Sequence, residues 1–212
     1  MPPQASVVSM TRRSSGLQSG QGQSPSGKIA RQVRPADQRF RPMRANTVQP
    51  FLFTMSLEPT PSFTIQQLSA TDDVLMNALL DVFGEAFEDA ETYSAHRPRP
   101  AYLRQLLASD AFIALVAVEG SQVVGGLAAY ELKKFEQERS EIYIYDLAVA
   151  TGQRRRGVAT GLIRELQRIG GERGAYVLFV QADLPDEPAI ALYAGLGVRE
   201  DVLHFDLPVR AR

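Results

Sequence analysis

Apolar and polar residues follow two regular patterns between about residue 63 and residue 208. Residues 140–149 alternate and are rich in Ile and Tyr, a pattern that is typical of a strand. Residues 158–169 repeat apolar side chains at helical spacing, which indicates an amphipathic helix. A short basic loop that ends in Gly157 lies between them, so this stretch predicts a strand, a loop and a helix in direct succession.

The same patterns predict an α/β fold in which a central mixed sheet is flanked by helices. The predicted strands are 63–68, 112–118, 123–132, 141–149, 175–181 and 198–207, and the predicted helices are 72–86, 100–108, 158–169 and 188–196. Thr71 or Asp72 is expected to cap the first helix, and 92–98 is predicted to be a loop. Hairpins early in the chain and helical crossovers later predict both antiparallel and parallel pairing.

The first 62 residues have a different composition. They are rich in Ser, Gly, Gln, Pro and Arg without periodicity, which predicts a disordered extension before a domain at 63–208 and a short tail at 209–212. Three interpretations stay open: a functional tail, a transit peptide, or sequence upstream of a true start at Met43 or Met55. The extension lacks the apolar core of a secretory signal, so a cytoplasmic protein is predicted.

Composition excludes several kinds of chemistry. The chain has no Cys and only two His, which excludes a thiolate metal site and a Cys nucleophile, and it disfavours a multi-histidine metal site. No run reaches the ~18 apolar residues of a membrane span. Beyond residue 62 the chain has fifteen Lys or Arg against twenty-two Asp or Glu, and such an acidic domain attracts cations and repels nucleic acid.

The basic loop is suited to binding phosphate. The first-turn amides of a helix have no partner within the helix, and the helix dipole favours an anion at that end. The loop lacks the Gly-Lys-Ser/Thr ending of a Walker A loop and the three glycines of a dinucleotide fingerprint. The alternative is a solvated basic turn in an ordinary strand-to-helix connection.

This loop resembles the acetyl-CoA loop of the GNAT acetyltransferases. That family's pattern is Gln or Arg, two residues, Gly, one residue, then Gly or Ala, and Arg154, Gly157 and Ala159 meet it. The family's preceding strand has a Leu-x-Val, here Leu147 and Val149. The resemblance implies a GNAT fold and acetyl-CoA as the cofactor. The implied cofactor-binding residues are Leu147, Ala148, Val149, Arg154, Arg155, Arg156, Gly157, Val158, Ala159 and Thr160.

A second segment, AIALYAGLG, resembles the family's final motif. In that motif a helical tyrosine, here Tyr193, approaches the CoA sulfur as a general acid. A packed aromatic on an apolar helix face is the alternative. The family often has an Asn seven residues before this tyrosine, whereas this chain has Asp186.

Transfer of an acetyl group to an amine also requires a group that accepts a proton from the ammonium. Asp146, which precedes Leu147 on the predicted strand, is the first candidate, and Glu141 is the second. Strict alternation places Glu141 and Tyr143 on the opposite face from Asp146, although a bulge would change this. A structural role for Asp146 at the strand end stays open.

A closer resemblance covers about Gln67 to Leu207. The stretches YELKKFEQERSEIYIYDLAV and AYVLFVQADLPDEPAIALYAGLGVREDVLHFDL, together with FGEAF and ETYSAH, resemble the class I aminoglycoside 3-N-acetyltransferases. That resemblance implies antibiotic resistance through acetylation of the 3-amine of a deoxystreptamine aminoglycoside such as gentamicin. It also implies that Asp146 lies in the acceptor site.

Acidic clusters in the domain are consistent with a polycationic acceptor, because opposite charge steers and binds it. The candidate substrate-binding residues are Glu85, Glu88, Asp146, Asp183 and Asp206. The alternative is that these acids only keep the domain soluble.

Two rival functions stay open. One is a GNAT enzyme for another amine, and the other is a non-catalytic acyl-CoA-binding module. A homodimer is also possible.

Overall fold

The computed structural model describes residues 62–205 and 207–209. The predicted extension therefore lies almost entirely outside the described residues, as do Asp206 and residues 210–212. The elements are β1 (Thr64–Gln67), α1 (Asp73–Ala86), a π-helical turn (Glu91–Ala95), α2 (Pro100–Leu107), β2 (Phe112–Glu119), β3 (Gln122–Lys133), β4 (Ser140–Val149), a 3-10 turn (Thr151–Gln153), α3 (Val158–Glu172), β5 (Ala175–Val180) and α4 (Glu187–Ala194).

The five strands of the described residues form one mixed sheet in the order β1-β2-β3-β4-β5. The first four strands pair antiparallel, and β4 and β5 pair parallel. Helix α3 supplies the crossover that a parallel pair requires. The mixed pairing predicted from the hairpin and the later helices is confirmed.

The sheet separates two hydrophobic cores. Helices α1 and α2 cover one face, where Leu79, Phe83 and Leu103 are at most 1% exposed. Helices α3 and α4 cover the other face, where Leu162 and Leu166 pack against β4. Each such side chain stabilises the fold by about 1.5–3 kcal/mol, so the helices are held firmly against the sheet.

A β-bulge in β4 changes which face its residues occupy. Ala129 of β3 lies opposite Ile144, but the next residue, Ala128, lies opposite Asp146, so Tyr145 is the additional residue. Ile142 and Ile144 belong to the α3 core, and so do Leu147 and Val149, whereas Ala148 belongs to the α1 core. Asp146 therefore shares the α1 face with Glu141 and Tyr143, and the opposite-face expectation from strict alternation is wrong.

The sheet opens beyond this bulge. β4 pairs with β5 only from Ser140 to Ile144. Leu147, Ala148 and Val149 continue to pair with β3 on their other side. Among the described strands, none lies beside them on the β5 side, so this strand edge can accept an extended ligand.

Two other expectations require correction. The π-helical turn Glu91–Ala95 overlaps the first part of the segment 92–98, and the Asp89 side chain and carbonyl accept hydrogen bonds from the amides of Thr92 and Tyr93. The strand expected at 198–207 is absent from its described residues, and Val202 and Phe205 are exposed. Alternation gives a segment the capacity to form a strand, but the strand exists only where another strand pairs with it.

Gly126 allows close packing between the sheet and α1. An added Cβ would lie 2.5 Å from the Leu115 carbonyl oxygen and 2.5 Å from a methyl group of Leu79. We expect Gly126→Ala to lower the free energy of unfolding by about 1–3 kcal/mol, the usual cost of overpacking. Urea denaturation measures the change.

Gly171→Ala is the matched control, since an added Cβ there meets nothing within 4 Å on an exposed face of α3. We expect this change to be neutral or to stabilise by about 1 kcal/mol through helix propensity. Equal stability of both variants would contradict the packing assigned to Gly126.

Candidate active site

Asp146 is a buried carboxylate held by a tyrosine from another element. It is 7% exposed and lies opposite Ala128 in the sheet. The hydroxyl of Tyr93, from the π-helical turn, donates a hydrogen bond to its side chain. The Tyr93 ring packs against Phe83 and Phe87, with ring centroids 5.7 Å and 5.4 Å away. Asp146 is thus oriented by a donor that the aromatic core fixes in place.

The ionisation of Tyr93 is consistent with this role. Burial first, and then the charge of Asp146, raise the pKa of the Tyr93 hydroxyl far above its ordinary value. Tyr93 therefore remains a protonated donor at every pH at which the enzyme could be assayed. Sequence reasoning missed Tyr93, because it lies in the segment predicted to be a loop. Two signals were present: Tyr93 is the one Phe, Tyr or Trp of that segment, and it belongs to the stretch ETYSAH.

Glu141 occupies a different environment on the same strand. It lies five residues from Asp146, about 16 Å along an extended chain. Its carboxylate accepts a hydrogen bond from Tyr176 at 2.8 Å and lies 3.5 Å from the Lys134 ammonium. The structure does not bring Glu141 together with Asp146, and its role as a base stays a prediction.

The basic loop presents backbone amides at the start of α3. Gly157, at φ +81°, turns the chain into the helix, and the first helical hydrogen bond runs from the Gly161 amide to the Gly157 carbonyl at 2.8 Å. The amides of 158–160 consequently have no partner within the helix, and among the described residues no side-chain cap is present at this end of α3. Arg154 donates to the Val149 carbonyl at 3.2 Å, which ties the loop to β4. This geometry fits the pyrophosphate of acetyl-CoA.

The Arg156 side chain is engaged by other side chains of the protein. Its guanidinium forms an ion pair with Glu119 at 2.7 Å and also contacts Gln153 and Ser62. Hydrogen bonds from Ser62 and then Arg156 lower the pKa of Glu119. Arg156 therefore links the loop to the end of β2, while Arg155 is exposed; cofactor contact by either arginine stays a prediction.

Tyr193 lies on α4 and packs against the α3 side of the core. Burial, with a contribution from the Asp186 charge, raises the pKa of Tyr193 to about 12. The hydroxyl is therefore protonated at neutral pH and can donate a proton. Asp186 itself caps α4, accepting a hydrogen bond from the Ala189 amide at 3.1 Å, so it has a structural role.

The other candidate acids are spread over the surface. Glu85 and Glu88 are exposed at the end of α1, from which the chain continues to Tyr93. Asp183 is exposed in the loop that follows β5, and Asp206 lies outside the described residues. Within the described part of the chain, no group of His, Asp or Glu is arranged to hold a metal ion. None of the described helices has the length and apolar character needed to span a membrane.

Comparison with known proteins identifies the family. Residues 75–198 match the model of the Acetyltransferase (GNAT) family. The chain therefore belongs to the GNAT acetyltransferase family, and the predicted GNAT fold is confirmed. GNAT enzymes use acetyl-CoA, and the open edge of β4 and the amides at the start of α3 are suited to it.

Two solved structures and one curated protein are similar to this chain. The crystal structure of the aminoglycoside acetyltransferase HMB0005, from an uncultured soil metagenomic sample, is 66% identical with a TM-score of 0.69, covering 70% of this chain and 99% of that chain. The aminoglycoside acetyltransferase meta-AAC0020, from the same kind of source and in complex with sisomicin, is 31% identical with a TM-score of 0.65, covering 70% and 97%. N-acetyltransferase 8B of Rattus norvegicus is 28% identical over 90 residues, 42% of this chain and 40% of the relative, so the chain spans less than half of that protein.

Gly157 provides a test of the cofactor loop. Gly157→Val places a side chain where the backbone must approach phosphate, so we expect at least tenfold weaker acetyl-CoA binding by calorimetry. Gly174→Val is the matched control. Both glycines have positive φ, +81° and +78°, and both have open space around an added Cβ, but they lie at opposite ends of α3. The two variants should lose similar stability, and unchanged affinity in a folded Gly157→Val would refute the loop assignment.

Tyr93→Phe tests the hydrogen bond to Asp146. Loss of this bond removes an interaction that favours the ionised carboxylate, so the acid limb of the kcat/KM profile should move to higher pH. Tyr176→Phe is the control, because it removes the corresponding hydroxyl from Glu141. If instead only Tyr176→Phe moves the acid limb, Glu141 is the base.

Proposed function

We propose that this protein is an acetyl-CoA-dependent N-acetyltransferase that acetylates the 3-amino group of a 2-deoxystreptamine aminoglycoside such as gentamicin. Such a reaction would confer antibiotic resistance. We assign the protein to the cytoplasm, where the drug acts on the cell that carries the protein. The observation that supports the proposal most directly is the burial and position of Asp146, an oriented carboxylate at the place where the sheet opens. The likeness to two aminoglycoside acetyltransferases supports the choice of acceptor.

The donor site uses main-chain groups. Acetyl-CoA supplies the activated acetyl group. We assign its pyrophosphate to the amides of 158–160 and its extended arm to the edge of β4 at Leu147, Ala148 and Val149. The amide groups of that edge then lie where negative charge develops on the carbonyl oxygen.

The acceptor site uses Asp146. An aminoglycoside carries its amines largely as ammonium ions, and only the neutral amine can attack. In the bound state the carboxylate attracts the ammonium and accepts its proton, directly or through one water. Tyr193, protonated because burial raises its pKa to about 12, donates a proton to the departing sulfur. Glu85 and Glu88 extend the negative charge around the acceptor.

A GNAT enzyme for another amine is the second candidate, because a buried carboxylate and an acidic surface also suit a polyamine. Thiol release with the full chain, acetyl-CoA and either gentamicin, sisomicin, spermidine or a peptide separates the two candidates. We expect turnover with the aminoglycosides, and nuclear magnetic resonance of the product should place the acetyl group on the 3-amine. Turnover with spermidine or the peptide alone would overturn the proposal, and acetylation elsewhere on gentamicin would overturn its regiochemistry.

Asp146→Asn tests the acid–base role. Asn retains the size of Asp and an oxygen that can accept from Tyr93, but it carries no charge. We expect kcat/KM for gentamicin to fall by ~10²–10⁴ while acetyl-CoA affinity is unchanged. Glu141→Gln is the matched control and should change kcat/KM by less than about threefold, given its partners on β5 and Lys134. Near-normal kcat/KM in Asp146→Asn would leave Asp146 a structural residue.

A further inference from the structure

The bulge in β4 leaves Tyr145 projecting beside the candidate base. Tyr145 is the additional residue of the bulge, and it is 52% exposed although its neighbour Asp146 is 7% exposed. The accessible ring of Tyr145 therefore presents an apolar surface directly beside a negatively charged carboxylate. Tyr145 has no role in the proposed proton transfers, which involve Asp146 and Tyr193.

Tyr145 belongs to a continuous row of rings, here called the aromatic band, that crosses four strands. Phe112 contacts Tyr130 at 5.2 Å, Tyr130 contacts Tyr145 at 5.9 Å, Tyr145 contacts Tyr143 at 5.9 Å, and Tyr143 stacks on Phe179 at 4.9 Å. Tyr145 makes an interplanar angle of 81° with both of its neighbours. These edge contacts hold its ring in one orientation from two sides.

The environment of the band favours a cation. Ring faces carry negative electrostatic potential and attract ammonium groups within about 6 Å. Burial first, then neighbouring tyrosines, and last the charge of Asp146 raise the pKa values of Tyr130 and Tyr143, so the negative charge of Asp146 reaches these rings. A rigid ring beside this charge can bind a cationic group at low entropic cost, since Tyr145 is already ordered by its neighbours.

We propose that Tyr145 is a substrate-binding residue whose ring face holds an amine-bearing sugar ring of the polycationic acceptor, while Asp146 holds the amine that reacts. This inference rests on the proposed function and adds to it a second contact surface. An amino sugar offers the two groups that a ring face binds, C–H groups that pack on it and an ammonium that it attracts. A linear polyamine offers mainly the ammonium and should depend less on Tyr145.

Calorimetry on the full chain saturated with CoA tests the proposal. Tyr145→Ala should weaken gentamicin binding by ~5–30-fold, equivalent to about 1–2 kcal/mol of lost ring contact. Tyr145→Phe retains the ring and should remain within ~2-fold of the unmodified protein. Because Ala leaves a gap between Tyr130 and Tyr143, Tyr145→Leu serves as a second variant that retains apolar bulk without the ring, and it should resemble Ala. Acetyl-CoA affinity should be unchanged in all three.

Phe135→Ala is the matched control, since Phe135 is a fully exposed aromatic between β3 and β4 that lies outside the band. It should leave gentamicin affinity unchanged. Gentamicin affinity within twofold of normal in Tyr145→Ala or Tyr145→Leu would overturn the inference, and so would an equal loss in Tyr145→Phe, which would assign the contact to the hydroxyl. Turnover of gentamicin by the unmodified protein alongside either result would leave the proposed function standing. Failure of the unmodified protein to bind or acetylate any aminoglycoside would overturn both.

Discussion

The additional residue in β4 is the constraint on which the candidate site depends. A bulge shifts the alternation of a strand by one residue and bends it, so side chains beyond it exchange faces. Here that shift keeps Leu147 and Val149 in the α3 core while Asp146 faces α1 and Tyr145 projects outward. It also coincides with the point at which β4 stops pairing with β5. One local irregularity thus opens the sheet and places a carboxylate at the opening.

A buried carboxylate must be compensated, and the two acids of β4 are compensated differently. Glu141 has Lys134 and Tyr176, a cation and a hydroxyl supplied by the protein itself. Asp146 is more deeply buried, at 7% exposed, and receives a hydrogen bond from the neutral Tyr93. Burial lowers the local dielectric constant, so a substrate ammonium beside this carboxylate would be attracted more strongly than in water. The deeper burial of Asp146 and its place at the opening of the sheet favour it over Glu141 as the proposed contact of the acceptor.

The sequence predicted the elements whose signals are local. The strand, the loop with Gly157 and the amphipathic helix after it each depend on spacing within a few residues, and the hairpin and crossover follow from them. The bulge was not predicted, although a signal was present: apolar positions 142 and 144 are followed by 147 and 149, a change of parity. Tyr93 was missed because its partner lies 53 positions away, and only the packing of α1 against the sheet brings the two together. The strand predicted after α4 is absent because a strand forms only beside a partner strand. Alternation of apolar and polar residues does not show whether such a partner is available.

The position of the acceptor amine against Asp146 is the central feature of the proposed site. A crystal structure of the protein with both CoA and gentamicin measures it directly. We predict that the 3-amine lies within about 3 Å of the Asp146 carboxylate or is joined to it by one water, with the sulfur of CoA beside the open edge of β4. A 3-amine bound at Glu141, or a gentamicin molecule held away from β4 altogether, would contradict the account.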